Sequence, residues 1–441
     1  MNLRNLGALA GTVILVAGAC SSGAASPTAT AVTPVVTPTP AASAPAASAP
    51  AAGIAVKIGI ELPMTGGEAP NGVPTANGVA LALSKIQVPG FTITIEQEDD
   101  ALNGTHDPPT GAANMQKLAN DPSVLFVVGP YNSSVAQAEI PVSNAAGLMQ
   151  CSPANTNPGL TQTWGGVDPK TLRPTNPDKI AYVRVATTDD LQGAAGADIA
   201  YNVAGKKSAY VADDTETYGK GIADVFATNF TKLGGTVVKR DGIPDKTTDF
   251  TSYVTALKGL NADYVYYGGV TTSGLGIFRS QMASQQLATI PFGGGDGIVD
   301  GSAATASSFL NVAGADGDAN TYGTVAGPHD IPNAAQFTSD YKAMFSADPG
   351  AYSAAAYACT QVFLQALKAV GTGVTDMAAL REAVRAYVAT PANSYDSALG
   401  TFSFDANGDT SQKIVSYYAF DATTKAWKFL SQRDFTANPV Q

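Results

Sequence analysis

Histidine, cysteine and clustered basic residues are scarce in this sequence, and their scarcity argues against several classes of protein. The 441 residues include two histidines and three cysteines, and 25 lysines and arginines stand against 36 acidic residues. The cysteines show no C-x-x-C spacing, so no zinc or iron–sulfur ligand set is visible. Nucleic-acid binding needs clustered lysine and arginine, and this chain of net charge −11 has no basic run. We therefore expect no metal, no cofactor and no nucleic-acid partner.

Familiar enzyme motifs are also missing. The sequence contains no G-x-S-x-G elbow, no Walker sequence and no H-E-x-x-H. His106 and His329 lie far in sequence from any plausible nucleophile, and Gly293–Gly297 is rich in glycine but does not match a dinucleotide fingerprint. We predict that the protein is not an enzyme. An extracellular hydrolase with dispersed active-site residues stays an alternative.

Residues 1–20 have the pattern of an export signal. Arg4 provides a positive charge, and the apolar stretch Leu6–Ala19 is short for a membrane span. The small residues of Val16–Cys20 resemble the lipobox of bacterial lipoproteins, which implies a lipid on the Cys20 thiol. An ordinary cleaved signal peptide and a weak membrane helix are the alternatives. The resemblance predicts an extracytoplasmic protein anchored to the cell membrane through Cys20.

Residues 21–53 are almost entirely alanine, proline, serine, threonine, glycine and valine. Such a composition supplies no large apolar side chains for a core, and repeated proline keeps the chain extended. We interpret this segment as a tether between the membrane and a folded body.

From Ile54 onward, strand-like and helix-like segments alternate. The apolar run Val124–Val128 is typical of a parallel strand buried on both faces. Other predicted strands are 56–60, 91–95, 147–151, 209–211, 237–238, 264–267 and 290–292, and predicted helices include 77–86, 110–119, 133–146 and 352–370. Repeated βα units predict an α/β fold, and their number favours two doubly wound lobes. Ligands of such sheets bind beyond the carboxyl ends of the strands, here in a cleft between the lobes.

Several segments make the similarity to one family specific. They are Ile58-Gly59, Leu62–Gly66, Glu98–Asp100, Val128–Pro130, Ser133-Ser134, Ser152–Thr161, Tyr218-Gly219 and Tyr266–Gly269. Together they resemble periplasmic binding proteins of the leucine/isoleucine/valine-binding type, and the similarity covers roughly residues 54–420. The resemblance implies two lobes joined by a hinge, formed by 54–187 with 327–400 and by 188–326 with 401–441.

The resemblance also implies a set of ligand-binding residues. Ser133 and Thr156, with the backbone of Ala154, match positions that hold the carboxylate and ammonium of an amino acid. Asp296 matches the carboxylate that the second lobe contributes, and Tyr218 matches another cleft residue. These types suit the chemistry, because a carboxylate prefers hydroxyl and helix N-terminal N–H donors, while an ammonium prefers an anion. Each residue also has a structural interpretation: Ser133 as a helix N-cap, Thr156 as a turn residue, and Asp296 as a loop residue.

The positions expected around the ligand side chain depart from the family pattern. Asn71 and Val270 stand where the family often has tyrosine. Tyr131 and Asn132 precede Ser133, and Tyr352 matches an aromatic residue that lines the pocket. The amino-acid clamp therefore looks retained while the specificity pocket differs, so we do not transfer leucine specificity.

The function that the resemblance implies is capture of a small ligand, an amino acid, by closure of the two lobes. The partner would be the permease of an ABC importer. A receptor of the same fold that senses amides or other small molecules for signalling is the main alternative.

Two further features stay open from the sequence. Cys151 and Cys359 can form a disulfide, which export favours, or stay as buried free thiols. Phe404–Asp409 begins like a calcium loop, but no glutamate stands at the twelfth position. We predict a tight turn between strands there.

Overall fold

The computed structural model describes residues 53–436, and the structural statements below refer to that range. The predicted signal, the lipidation of Cys20 and the tether as far as residue 52 lie outside the described residues. Among the described helices, none combines the length and the apolar character that crossing a membrane requires.

The described chain alternates between strands and helices. The strands are β1 (Ile54–Leu62), β2 (Phe91–Asp99), β3 (Ala101–Leu102), β4 (Thr105–His106), β5 (Val124–Val128), β6 (Met149–Ser152), β7 (Tyr182–Arg184), β8 (Ser208–Asp213), β9 (Thr236–Gly242), β10 (Tyr264–Gly268), β11 (Phe292–Gly293), β12 (Thr321–Val325), β13 (Ser394–Ser397), β14 (Gly400–Ser403), β15 (Ile414–Asp421) and β16 (Ala426–Asp434). The α-helices are α1 (Ala69–Lys85), α2 (Pro108–Asn120), α3 (Ser133–Ala146), α4 (Asp189–Asp198), α5 (Thr217–Lys232), α6 (Thr251–Leu257), α7 (Leu275–Ser284), α8 (Phe309–Ala313), α9 (Ala334–Phe345), α10 (Ser353–Val370) and α11 (Met377–Val388).

The first lobe is a parallel sheet in the order β2-β1-β5-β6-β7. Every residue of the central strand β5 is buried, because helices α1, α2, α3, α10 and α11 pack around this sheet. Its sequence, Val-Leu-Phe-Val-Val, suits a strand covered on both faces. From β1 the chain first adds β2 on one side. It then crosses to the other side of β1 and adds β5, β6 and β7 in turn.

The second lobe is a seven-stranded sheet in the order β16-β15-β12-β11-β10-β8-β9. Strands β8 to β12 run parallel, while β15 and β16 form an antiparallel pair at one edge. Helices α4 to α8 belong to this half of the chain. The predicted α/β fold with two doubly wound lobes is confirmed.

The two lobes touch each other directly. Asn157 Nδ2 donates to the Thr217 carbonyl at 2.7 Å, and Thr217 Oγ1 donates to Gln137 Oε1 at 2.9 Å. One cluster of buried apolar side chains also includes residues of both sheets, among them Phe126 and Tyr267. The structure is therefore a closed arrangement of the lobes.

Three segments connect the two sheets: 185–188, 326–333 and the stretch between β14 and β15. The boundary predicted at 400 and 401 falls inside β14, which pairs with β13 and not with the second sheet. We propose the remaining boundaries as predicted, with the third crossing placed after Ser403.

Cys151 and Cys359 form a disulfide, with their Cα atoms 5.7 Å apart. It joins β6 to α10 across 208 residues of sequence. A cross-link of this span typically stabilises a fold by about 2–5 kcal/mol. The sequence had left the alternative of two free thiols open.

Helix α1 begins earlier than its sequence pattern indicates. The prediction started near residue 77, whereas the helix starts at Ala69 and contains Pro70 and Pro74. Pro70 lies in the first turn, where a missing N–H costs little. Pro74 lies inside the helix, and its carbonyl accepts bonds from the Tyr341 and Ser353 hydroxyls at 3.2 and 2.7 Å.

Candidate functional site

The site forms where strands of both sheets end. In the first lobe, β5 leads to Tyr131, Asn132 and Ser133, and β6 leads to the segment that contains Ala154 and Thr156. In the second lobe, β10 leads to Val270 and β11 leads to Asp296. The carboxyl ends of parallel strands meet at one edge of each sheet, so these connections face each other across the cleft.

Together these connections line a small cavity between the lobes. It is lined by Tyr131, Asn132, Ser133, Ala154, Thr156, Tyr218, Val270, Asp296 and Gly297. Residues of both lobes therefore contribute to one lining. Eight of the ten ligand-contact residues expected from the sequence line it.

The other two expected residues lie outside the cavity lining. Tyr352 is the N-cap of α10, where its ring meets that of Tyr131 edge to face with centroids 5.7 Å apart. Asn71 lies half-buried on α1, and its carbonyl accepts a bond from Thr75 Oγ1 at 2.7 Å. Tyr352 therefore stands directly behind the cavity, while Asn71 belongs to the helix beside it.

A network of hydrogen bonds fixes the first-lobe wall. Ser152 Oγ donates to the Pro130 carbonyl at 2.7 Å and accepts from the Asn155 N–H at 2.9 Å. Asn155 Nδ2 donates to the Tyr131 carbonyl at 2.7 Å, and Tyr182 Oη donates to Asn155 Oδ1 at 2.8 Å. Asn155 therefore ties the β5 connection to the β6 connection. Sequence reasoning missed its role, because neither bond joins residues close in sequence.

Ser133 is the first residue of α3, a helix of 14 residues, and its side chain is buried. Backbone N–H groups at a helix N-terminus have no partner within the helix and attract anions. The Ser133 hydroxyl lies 3.4 Å from the Asn157 N–H, which donates to it. This corner of the cavity presents hydrogen-bond donors suited to a carboxylate.

Asp296 is the anionic group of the opposite wall. Tyr218 Oη and Gln192 Nε2 donate to Oδ1 at 2.6 and 2.8 Å, and Tyr352 Oη donates to Oδ2 at 2.7 Å. Burial raises the pKa of Asp296, while these three donors oppose that rise. A carboxylate offers about four acceptor positions, so one stays for a ligand donor. Gln192 was not predicted from the sequence.

Glycine is required beside Asp296. A Cβ atom on Gly295 would collide with the Tyr218 hydroxyl, so a larger residue would displace the donor that Asp296 uses. The glycine-rich Gly293–Gly297 segment therefore lets the carboxylate and the phenol approach each other.

Further carboxyl groups surround the cavity. Asp189 is fully buried, and neither of its carboxylate oxygens has a partner among the described residues. Burial first, and then Asp296, hold the pKa of Asp189 well above its usual value. Burial also raises the pKa of Asp300 to about 7. Raised pKa values favour the uncharged forms of both groups, so the carboxyl group that lines the cavity itself is that of Asp296.

A second contact between the lobes involves Glu68 and His106. Glu68 Oε1 accepts from Thr272 Oγ1 of the second lobe at 2.8 Å and lies 2.6 Å from His106 Nδ1. Burial alone would lower the pKa of His106, but the Glu68 carboxylate outweighs burial and raises it to about 9. Asp214 and Glu216 of the second lobe act in the same direction. His106 is thus protonated at neutral pH and faces the second lobe.

The Glu68–His106 pair predicts a loss of stability as pH rises. The folded-state pKa of His106 is about 9 against an ordinary 6.5, so its contribution is complete below 6.5 and disappears through about 9. The pKa of Glu68 is lowered, so its contribution is present above its ordinary 4.5 and is lost in acid. We expect His106→Gln to be roughly 2–3 kcal/mol less stable than the native chain at pH 6 and nearly equal at pH 10.

Urea unfolding of both proteins between pH 5 and 10 measures this difference. Burial raises the pKa of Asp214 to about 7 and His106 lowers it, so the measured difference includes the coupled titration of Asp214. A difference that stays constant over this pH range would contradict the assignment.

Metal binding has no support in the described residues, where no group of three or more histidine, cysteine, aspartate or glutamate side chains could hold an ion. The predicted turn at Asp405–Gly408 is present, closed by the Gly408 N–H donating to the Asp405 carbonyl at 3.1 Å. The next residue, Asp409, pairs with Arg184 and not with a cation.

Comparison with known proteins shows similarity to one family and its fold. A family model described as periplasmic binding protein matches residues 55–425. The Leu/Ile/Val-binding protein homolog 1 of Brucella melitensis is 28% identical over 374 residues, covering 83% of this chain and 90% of that protein. The leucine binding protein LivK of Thermotoga maritima superposes with a TM-score of 0.71 at 24% identity, covering 87% of this chain and 99% of that one.

A similar structure with a different kind of ligand is a solute binding protein from R. palustris in complex with 4-hydroxybenzoate. Its TM-score is 0.70 at 18% identity, and the match covers 86% of this chain and 97% of that one. At this identity the likeness concerns the fold and leaves the ligand open.

Proposed function

Since the chain belongs to the periplasmic binding protein family, we propose that it binds a single amino acid between its lobes and delivers it to the permease of an ABC importer. The observation that carries the proposal is the opposition of Ser133 and Asp296 across one small cavity. Ser133 and the α3 N-terminus offer donors to the ligand carboxylate, and Asp296 offers a counter-charge to its ammonium.

Closure of the two lobes on the ligand follows from the distribution of the proposed ligand-binding residues over both lobes. Ser133, Ala154 and Thr156 belong to the first lobe, and Tyr218 and Asp296 belong to the second. A ligand that touches both lobes binds the closed state more strongly than the open state, and it shifts the equilibrium by that difference. The closed body would be the form that the permease recognises.

The Asp296 carboxyl group in the lining favours an amino acid over an aromatic acid. A benzoate carries only negative charge, so in this cavity it would meet Asp296 with no compensating cation. A zwitterion places its ammonium there instead. This distinguishes the proposal from the ligand of the R. palustris neighbour.

The proposed location is outside the cytoplasm, with a lipid on Cys20 as the anchor and residues 21–53 as the tether. A sensing receptor would use the same site with a signalling partner. A permease that binds only the ligand-loaded chain would support transport.

Calorimetric titration of the refolded full chain, stripped of carried-over ligand, tests the proposal. The titrants are the twenty amino acids, a few amides and 4-hydroxybenzoate. We expect saturable one-to-one binding of an amino-acid class. Binding of 4-hydroxybenzoate in place of any amino acid would contradict it, and turnover of a bound compound would indicate a hydrolase.

A further inference from the structure

Asn132 is a buried amide that the fold does not use. It is the N-cap of α3, a position where an asparagine side chain ordinarily accepts a bond from the first turn of the helix. Here its side chain makes no capping bond. Asn132 is only 7% exposed, and its Oδ1 has no partner among the described residues.

The surroundings of Asn132 point to the ligand. Asn132 lines the cavity together with Tyr131 and Val270, and it is not one of the three donors to the Asp296 carboxylate. The amino-acid clamp of the proposed function occupies Ser133, Thr156 and Asp296. The amide of Asn132 is therefore left available to the side chain of the ligand.

We propose that Asn132 selects a ligand whose side chain forms hydrogen bonds, with a carboxamide amino acid, asparagine or glutamine, as the best fit. This inference rests on the proposed function, because it assumes that the clamp holds an amino acid. A carboxamide ligand can donate to Asn132 Oδ1 and accept from its Nδ2 at the same time. A hydroxyl ligand satisfies one of these groups, and an aliphatic ligand satisfies neither.

The selectivity comes from the hydrogen-bonding groups of Asn132, which an aliphatic ligand would leave without a partner. In the open state, water hydrates the Asn132 amide. Closure on leucine or valine would remove that water and provide no partner, and burying an unsatisfied polar group is costly. We expect the native chain to bind glutamine or asparagine roughly 10- to 100-fold more tightly than leucine or isoleucine.

The test combines the native chain with Asn132→Leu, in which the amide gives way to an apolar group of similar size. Dissociation constants for glutamine, asparagine, threonine, leucine, isoleucine and valine are measured by calorimetry on both proteins. We expect the variant to lose roughly 10- to 100-fold in affinity for the carboxamides and to gain affinity for the aliphatic amino acids. Asn120→Leu makes the same change at an exposed position at the end of α2 and should leave the preference unaltered.

The readout is a ratio between two ligands on the same folded protein, which a merely structural role for Asn132 would not change. Should Asn132→Leu fail to fold, the preference of the native chain decides alone. Tighter binding of leucine or isoleucine by the native chain would overturn this inference and leave the proposed function intact. Failure of every amino acid to bind would overturn both.

Discussion

Replacing Asp296 by asparagine is expected to weaken amino-acid binding by about 100-fold, because a hydrogen bond to a charged group contributes about 1.5–3 kcal/mol. The substitution keeps the size of the side chain and removes its charge. An ammonium group in the cavity would then lose its only fixed counter-ion among the cavity-lining residues. Calorimetric titration with the preferred amino acid measures the change.

Asp300→Asn is the matched control for this substitution. Asp300 is also buried near the cavity but accepts from Thr271 Oγ1 at 2.6 Å and from the Phe309 N–H at 2.9 Å. It does not line the cavity, so its neutral variant should keep its affinity within a few-fold. An unchanged dissociation constant for Asp296→Asn would remove Asp296 from the ligand site.

The bonds to Asp296 also connect ligand binding with closure. Tyr352 belongs to a helix that packs on the first sheet, while Asp296 follows a strand of the second. Their 2.7 Å hydrogen bond therefore joins the lobes without any ligand. An amino acid adds its ammonium to a carboxylate already oriented by Tyr218 and Gln192, so little side-chain order is lost at binding.

Local patterns in the sequence were sufficient for the parts of the site that lie next to a strand end. The buried run of β5 predicted a strand, and Ser133 follows it at the start of a helix, where the structure places it. The same holds for Ala154 after β6. These positions depend on short-range periodicity, which the sequence displays directly.

Contacts between distant residues were not predictable in the same way. Gln192 reaches Asp296 across 104 positions, and Glu68 reaches Thr272 across 204. Such pairs depend on how whole lobes pack, and no local spacing encodes them. The Cys151–Cys359 disulfide was open for the same reason, since its geometry depends on the placement of α10 against β6.

A buried ion pair between Arg184 and Asp409 joins residues that are far apart in sequence. Both side chains are almost fully buried, and Arg184 Nε lies 2.7 Å from Asp409 Oδ1. Arg184 Nη1 also donates to the Asn157 carbonyl at 2.7 Å, next to Thr156 of the site. Burial by itself would raise the pKa of Asp409, but Arg184 outweighs burial and lowers it. The pair fixes the segment after β6 to the turn before β15.

Asp409→Asn should therefore cost about 3–5 kcal/mol of unfolding free energy, because it leaves the Arg184 charge buried without a counter-ion. We expect a large shift in the urea midpoint and a weaker ligand affinity, since the backbone beside Thr156 loses its anchor. Asp405→Asn is the control on the same turn: Asp405 is exposed, and asparagine keeps the acceptor for the Asn407 N–H, so we expect a change below about 1 kcal/mol.

The double variant Arg184→Met with Asp409→Leu separates charge from packing. Replacing a buried ion pair by apolar residues of similar volume is often neutral, whereas removing one partner is not. The double variant should therefore recover most of the stability that Asp409→Asn loses. If it stays as unstable as the single variant, the cost comes from the hydrogen bonds to Asn157 and Thr161 rather than from an uncompensated charge. If the urea midpoint of Asp409→Asn equals that of the native chain, carbonyl groups alone stabilise Arg184. The ion pair then does not contribute to the position of the site residues.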